Sequence, residues 1–276
     1  MRFPIIFSFI LLSQVCLAEE TVLNSSTEQG LSRLQSLWAE ASDGKNWQVA
    51  AGLGVAYAPE VMGGDFYKGG AMPSFDIAHR SGFFMGTSKG IGWSYAVNPD
   101  WQAAIFLAPS GERKEKDRLT DKINFKGMGD IKSAAQAGAM LNYVLGDLNL
   151  STVLLTGLSD KNRGQQLMLG ADYTVYDSEN FALMLNSSIT ASNADYQQRW
   201  YGVTKQQAQK SGFKAYQAGS GLTLGTVGIT GIVPITKELR LINSLSYNQL
   251  LGDAADSPLV KSKGSAEFSA LLQYTW

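Results

Sequence analysis

The sequence predicts an all-β protein whose antiparallel strands close into a transmembrane barrel. At the carboxyl end Phe268, Ala270, Leu272, Tyr274 and Trp276 recur at every second position, with mostly polar residues between them. This period gives a strand one apolar face, and a terminal aromatic suits a membrane interface. Beyond the first 20 residues, no stretch approaches the roughly 18 to 20 apolar residues that a membrane helix needs. Only helices and closed barrels pair every backbone group in hydrocarbon, so the barrel remains.

The amino-terminal residues 1–18 have the features of a cleaved secretory signal. Arg2 precedes an apolar run over 3–12, and a small-residue site ends at Ala18. Cleavage after Ala18 would also remove Cys16, the only cysteine, which excludes disulfides and thiol chemistry in the mature chain. The mature chain would keep 22 basic and 24 acidic side chains. This balance provides no long-range field for nucleic acid, so no nucleic-acid partner is expected.

Residues 19–45 are predicted to be a periplasmic segment in front of a barrel over residues 46–276. The segment is polar, but four of its residues follow helical spacing and the pattern stops at Asp43-Gly44. These four residues are Leu31, Leu34, Trp38 and Ala41. The pattern favours a short helix or a flexible lead, and a docking peptide for a partner is the functional alternative.

Turn chemistry divides the barrel region into twelve predicted strands, with ten or fourteen as alternatives. Short dividers that suit tight hairpins alternate with longer or glycine-containing ones, which gives eleven connections and both termini in the periplasm. The predicted strands are 46–58, 71–78, 83–88, 91–97, 101–109, 133–145, 148–157, 164–176, 181–191, 213–235, 239–251 and 262–276. The run 213–235 is too long for one regular strand, so we expect a bulge or kink near Gly225.

Side-chain direction follows from the same alternation. The residues predicted to face lipid are Leu167, Leu169, Ala171, Tyr173, Val175, Leu239, Leu241, Leu245 and Tyr247. Those predicted to face the lumen are Met168, Gly170, Asp172, Thr174, Tyr176, Arg240, Ser244, Ser246 and Asn248. Aromatics near strand ends are expected to form interfacial girdles, and they include Trp47, Tyr57, Trp93, Trp101, Tyr143, Tyr176 and Trp276.

The residue types that barrel hydrolases use are almost missing, so the sequence favours a protein that is not an enzyme. A barrel phospholipase or protease needs a histidine beside a serine or carboxylate, and His79 is the single histidine. It is predicted to lie at a periplasmic turn, far from the outer half where substrate would arrive. No metal-binding cluster or phosphate-binding loop is present, so no metal or cofactor is expected.

The segment 112–126 is dense in charges of both signs, which usually marks a solvated loop. Its basic residues are also candidates for lipopolysaccharide contact, because cations can bridge the phosphates of that lipid. These residues are Arg113, Lys114, Lys116 and Arg118.

Four ordered motifs resemble the MltA-interacting protein (MipA/OmpV) family of outer-membrane proteins. They are GVAYAP at 54–59, KGMGDI at 126–131, ADYQQRWYGVT at 194–204 and LLGDAADSPLV at 250–260. The motif-loop residues singled out as candidate functional positions are Asp195, Tyr196, Tyr201, Gly202, Val203, Asp253, Asp256, Ser257 and Pro258. We expect Asp195 to cap the turn that follows the ninth strand, and Thr204 to be the N-cap of a short helix.

The resemblance implies a barrel in the outer membrane of a Gram-negative bacterium, surrounded by lipid and lipopolysaccharide. It also implies a scaffold that links a lytic transglycosylase to a murein synthase; a small pore or an adhesin is the alternative. A periplasmic enzyme would reach only the short turns and residues 19–45. The motif loops face outward, and we expect them to fold inward and plug the barrel mouth.

Overall fold

The computed structural model describes residues 46–158 and 164–276, and within them twelve antiparallel strands form one closed barrel. Each strand pairs with its neighbours in sequence, and the first closes on the last. The strands are β1 (Trp47–Pro59), β2 (Tyr67–His79), β3 (Phe83–Gly86), β4 (Gly90–Ala96), β5 (Trp101–Pro109), β6 (Ala135–Leu145), β7 (Leu148–Gly157), β8 (Gln165–Asp177), β9 (Ala182–Ser192), β10 (Gly221–Pro234), β11 (Leu239–Leu250) and β12 (Gly264–Thr275). The predicted closed barrel and its twelve strands are confirmed.

The predicted signal over 1–18 and the predicted segment over 19–45 lie outside the described residues. Short turns connect strands at one end of the barrel, and Trp276 lies at that end because its N–H donates to the carbonyl of Val49. In outer-membrane barrels the short turns face the periplasm and the long loops face outside. We therefore name the two ends periplasmic and outer.

Two strand boundaries differ from the sequence prediction by more than two residues. β2 begins at Tyr67 rather than at 71, because Gly69 and Gly70 pair with β1 despite their low strand propensity. β10 begins at Gly221 rather than at 213, and the preceding residues belong to the loop. The expected irregularity is present near the expected place, since the register of β10 against β9 shifts between Leu222 and Leu224.

The predicted facing of β11 is confirmed, because Leu245 and Tyr247 are exposed whereas Arg240, Ser246 and Asn248 are buried. A hydrophobic outer surface of this kind is what lipid requires.

In β8 the predicted alternation holds as far as Thr174, with Leu169 and Tyr173 outside and Met168 inside. The predicted lumen position of Tyr176 is wrong. A register shift between Thr174 and Tyr176 adds one residue to β8, which turns this ring to the outside, where it lies 6.2 Å from the Phe181 ring.

Exposed aromatics surround the periplasmic end, as the girdle prediction requires. The rings of Trp101 and Tyr143 lie 4.6 Å apart on neighbouring strands, and Trp276 packs edge-on against Tyr274 at 4.9 Å. At the outer end Tyr57 stacks on Tyr67 at 5.3 Å. Amphipathic rings at both rims fix the depth of a barrel in its membrane.

Side chains fill the lumen. Apolar groups form two inner clusters: one, around Phe106 and Met168, comes from β3 and β5–β8, and the other, around Met184 and Ile232, comes from β9–β12, β1 and β2. Polar side chains are also buried inside, and one hydrogen-bonded chain joins Asp172, Asn186, Thr230 and Ser244. The side chains of Met184, Ile232 and Gln273 are 0% exposed. A water-filled channel would leave its lining accessible to solvent, so this interior has the character of a packed core.

A buried ion pair ties the shortest hairpin to the wall. Lys89 lies in the turn between β3 and β4, and its Nζ is 3.1 Å from Oδ1 of Asp76 on β2. Both side chains are almost fully buried. Leaving either charge unpaired in such surroundings costs about 3 to 5 kcal/mol, so each partner holds the other in place.

Candidate functional site

Four long loops fold over the outer end of the barrel and form one body, which we call the cap. The cap comprises residues 60–66, 110–134, 193–220 and 251–263. Hydrogen bonds join its loops to one another: Asp65 N–H donates to Leu119 O at 2.9 Å, Lys261 N–H to Gly63 O at 2.7 Å, and Gln207 Nε2 to Met128 O at 2.7 Å. These bonds join the four loops into one body at the outer end of the barrel.

The cap has a hydrophobic core of its own. Six buried side chains from all four loops meet there, namely Val61, Leu119, Phe125, Met128, Val203 and Leu259. A neighbouring cluster of Tyr196, Trp200, Tyr201 and Ala254 joins the cap to the outer ends of β10 and β11. Full burial of a large apolar side chain contributes about 1.5 to 3 kcal/mol, so this core favours the ordered arrangement of the loops.

The motif over 194–204 contains helix α1 (Ala194–Tyr201). Its N-cap is Asn193, whose side chain accepts from the Tyr196 N–H at 3.1 Å. The prediction that Asp195 caps this turn is wrong by two positions, since Asp195 is exposed in the first turn of the helix. A carboxylate there still interacts favourably with the positive end of the helix dipole. Tyr196 and Tyr201 are buried in the cap.

Helix α2 (Lys205–Ser211) follows directly and has the predicted N-cap. Thr204 Oγ1 accepts from the Gln207 N–H, and the Gln207 side chain accepts from the Thr204 N–H, which completes a capping box. Between the helices, Gly202 ends α1 and Val203 exchanges two backbone hydrogen bonds of 2.8 Å with Tyr216. Backbone pairing thus fixes the middle of the motif within the cap.

The motif over 250–260 contains the short helix α3 (Gly252–Ala255) and binds the motif over 194–204 through Ser257. The buried hydroxyl of Ser257 donates to the carbonyl of Tyr201 at 2.5 Å and accepts from the Leu259 N–H at 3.1 Å. Pro258 follows at a partly buried position. The motifs over 194–204 and 250–260, two of the four that carry the family resemblance, are therefore in direct contact in the cap.

The two carboxylates of the motif over 250–260 have different partners. Asp253 Oδ2 accepts from the Gly219 N–H at 2.6 Å, whereas Asp256 forms an exposed ion pair with Lys263 at 2.8 Å. The Tyr216 hydroxyl donates to the Asp253 carbonyl at 2.9 Å. Partial burial raises the pKa of Tyr216, and the nearby charges of Asp253 and Asp256 raise it further. Sequence reasoning missed Tyr216, because nothing local marks its long-range contacts. It also missed Asn193, although asparagine is a favoured N-cap residue and its capping contact is local.

The four candidate lipopolysaccharide residues are in different environments. Arg113 is buried: its Nη1 donates to the Trp200 carbonyl at 2.7 Å, and its guanidinium lies 4.5 Å from the centre of the Phe125 ring. The prediction that Arg113 contacts lipopolysaccharide is therefore wrong in this arrangement. Lys114 pairs with Glu112. Lys116 and Arg118 are exposed, and Arg118 also lies over the Phe66 ring at 4.3 Å.

His79 ends β2 at the periplasmic end, where it was predicted. Its Nδ1 lies 2.8 Å from Ser81 Oγ, and its ring packs 4.4 Å from that of Trp47. The Ser81 N–H also donates to Nδ1, so the contact closes a tight turn. Within residues 46–158 and 164–276, the structure shows no group of three or more His, Cys, Asp or Glu that could hold a metal ion. No helix in these ranges is long and apolar enough to cross a membrane.

Comparison with known proteins places this chain among outer-membrane proteins. Omp26La of Vibrio anguillarum and OmpV of Vibrio cholerae are each 26% identical to it over 170 residues, or 61% of this chain and 63% of each relative. The 24 kDa outer membrane protein of Pasteurella multocida is 23% identical over 199 residues, or 70% of this chain and 76% of the relative. The match thus spans about 63% of the length of the two Vibrio relatives.

The relatives and the twelve-stranded barrel agree that the chain is an outer-membrane protein. A family model described as MltA-interacting protein MipA matches residues 51–276, which includes every strand from β2 onward and the whole cap. The chain belongs to the MltA-interacting protein MipA family.

Proposed function

We propose that this protein is a non-conducting, non-enzymatic scaffold of the outer membrane, whose periplasmic end holds a lytic transglycosylase and a murein synthase together. The observation that carries the proposal is the closed interior: the lumen is filled by buried side chains, and the cap covers its outer mouth. A barrel without a path for solutes leaves its two ends as the surfaces that can act. The family name supports an MltA-type transglycosylase as one partner.

The periplasmic end offers a partner an acidic surface. Exposed carboxylates in its short turns outnumber exposed cations by five to two in the described residues. The carboxylates are Asp100, Asp147, Asp177, Glu179 and Glu238, and the cations are Arg80 and Lys237. Charge complementarity steers association and selects partners, so a docking enzyme would present a basic face. Residues 19–45 are proposed as a second contact, because they lead into β1 at this end.

Capture of the transglycosylase from native envelopes tests the proposal. We expect co-purification that weakens as salt is raised, and that weakens further when Asp147, Asp177 and Glu179 become Asn, Asn and Gln. A matched control changes Asp121, Asp195 and Asp256 to Asn at the outer end and should leave capture unchanged. Deletion of residues 19–43 separates the two contacts: capture that survives it intact would exclude this segment.

Conductance in a planar bilayer tests the closed interior. We expect no steady current from the purified protein. Steady ion conduction would contradict the closed interior on which the scaffold proposal rests, and it would support a small pore instead.

A further inference from the structure

Three exposed lysines lie on two loops of the cap whose backbones touch. Lys126 lies in the β5–β6 loop, Lys210 lies in the last turn of α2, and Lys214 follows that helix. Lys126 is far in sequence from the other two, and it alone belongs to the charged segment 112–126. We call these three residues the lysine patch.

Contacts beneath the patch fix its geometry. Gly127 has a φ of 87°, and a Cβ on it would lie 2.6 Å from the carbonyl carbon of Lys210, so the backbones of the two loops touch. The rings of Phe125 and Phe213 pack at 6.4 Å immediately beside Lys126 and Lys214. The Gln207–Met128 hydrogen bond adds a third link. The patch is therefore held by the cap core and does not depend on flexible loop tips.

The surroundings of the patch are poor in negative charge. No Asp or Glu occurs between residues 196 and 237, although Arg199, Lys205, Lys210 and Lys214 all lie in the first half of that span. Glu115, in the same loop as Lys126, accepts from the N–H groups of Gly127 and Gly129. Among the described residues, no carboxylate lies within ion-pair distance of the three ammonium groups. Their charge is left for an external anion.

The patch lies at the outer end of the barrel. The loops that carry it connect β5 to β6 and β9 to β10, and β7 and β8 lie between these two hairpins in the wall. An anion that reaches the patch therefore comes from the external side of the membrane.

We propose that the lysine patch binds an acidic polysaccharide at the cell surface. Lysine presents a compact point charge on a flexible stem, which suits charges repeated along a polymer better than one fixed bidentate group. A single-stranded nucleic acid would need an aromatic platform for its bases, and Phe125 and Phe213 are instead packed in and against the cap core. Helix α2 buries no residue and offers no apolar face for a protein partner.

Binding of fluorescent dextran sulfate to the protein in phosphatidylcholine vesicles tests the proposal. Replacing Lys126, Lys210 and Lys214 together by Gln should weaken binding about tenfold at low ionic strength, because three exposed ion pairs, each weak, are lost together. The same three positions as Arg should retain binding. A matched control, Lys116→Gln with Arg118→Gln and Lys122→Gln, removes equal charge from the same cap and should change affinity less than twofold.

Thermal unfolding of the variants ensures that only folded barrels are compared. Equal loss in both triple variants would overturn the proposal, since it would show attraction by net charge alone. Absence of dextran sulfate binding by the unmodified protein would overturn it as well. Two further probes address other sources of anion: tighter patch-dependent binding of lipopolysaccharide or of duplex DNA than of dextran sulfate would assign the site to that ligand instead.

Discussion

The hydroxyl of Ser257 joins the two motif segments, and its removal is expected to open the cap while the barrel stays intact. In Ser257→Ala the buried Tyr201 carbonyl loses a 2.5 Å hydrogen bond, and the Leu259 N–H loses its 3.1 Å acceptor. Each buried polar group left without a partner costs about 1 to 3 kcal/mol, and a part of this is recovered as the loop relaxes. We expect the free energy of cap opening to fall by about 2 to 4 kcal/mol.

Hydrogen exchange measures this change where it occurs. The amides of Val203, Leu259 and Lys261 should exchange roughly 30 to 1,000 times faster in Ser257→Ala, because every 1.4 kcal/mol is about a factor of ten. Strand amides, such as those of Ile232 and Leu271, should keep their protection. Ser220→Ala, a change at an exposed serine of the same cap, is the matched control. Unchanged exchange in the cap, or equal acceleration in the strands, would refute the reasoning.

Three further predictions concern stability. Asp76→Asn leaves Lys89 charged and buried, so the free energy of unfolding in urea should fall by about 3 to 5 kcal/mol. Adding Lys89→Met should restore the lost stability. An equal loss in the single and the double variant would contradict the pairing. Arg113→Met removes the donor to Trp200 and should make cap opening easier by about 1.5 to 3 kcal/mol, detected as faster thermolysin cleavage than in Lys116→Met. The pKa of the Tyr216 phenol is raised in the closed cap, so the phenol ionises more readily once the cap opens. Cap stability should therefore be full below pH ~10 and fall above it. A tyrosinate difference spectrum, measured against Tyr216→Phe, with a midpoint below pH ~10 would contradict this.

The strands were predictable because lipid imposes a strict two-residue period on their outer faces. The closing strand shows this most clearly: Phe268, Leu272 and Tyr274 are exposed, whereas Leu271 between them is buried in the lumen. The pattern failed where one residue is added, as at Tyr176, because a bulge leaves no local signature. It failed again at 213–220, where the composition resembles a strand but the residues pack in the cap.

The cap was predictable only in outline, because its contacts join residues far apart in sequence. Thr204 and Gln207 form a local capping box and were readable as such. Arg113 was not readable in this way, because it lies in a segment dense in charge. It turns inward to donate to the Trp200 carbonyl, which is 87 residues away in sequence. For the same reason the lysine patch cannot be inferred from one loop, since Lys126 and Lys210 become neighbours through the approach of Gly127.

A closed barrel does not need ordered loops for its own stability, because its backbone pairing is complete in the wall. The hydrophobic core of the cap therefore has a separate consequence, which is to hold the outer mouth shut and to display a fixed surface above it. The periplasmic end shows the opposite design, with short turns and a surplus of carboxylates. Between them lies a lumen filled with side chains, and we propose that it lets no material pass from one end to the other. Surfaces joined by such a rigid body act independently, and a change at the lysine patch should leave the proposed periplasmic docking unaltered.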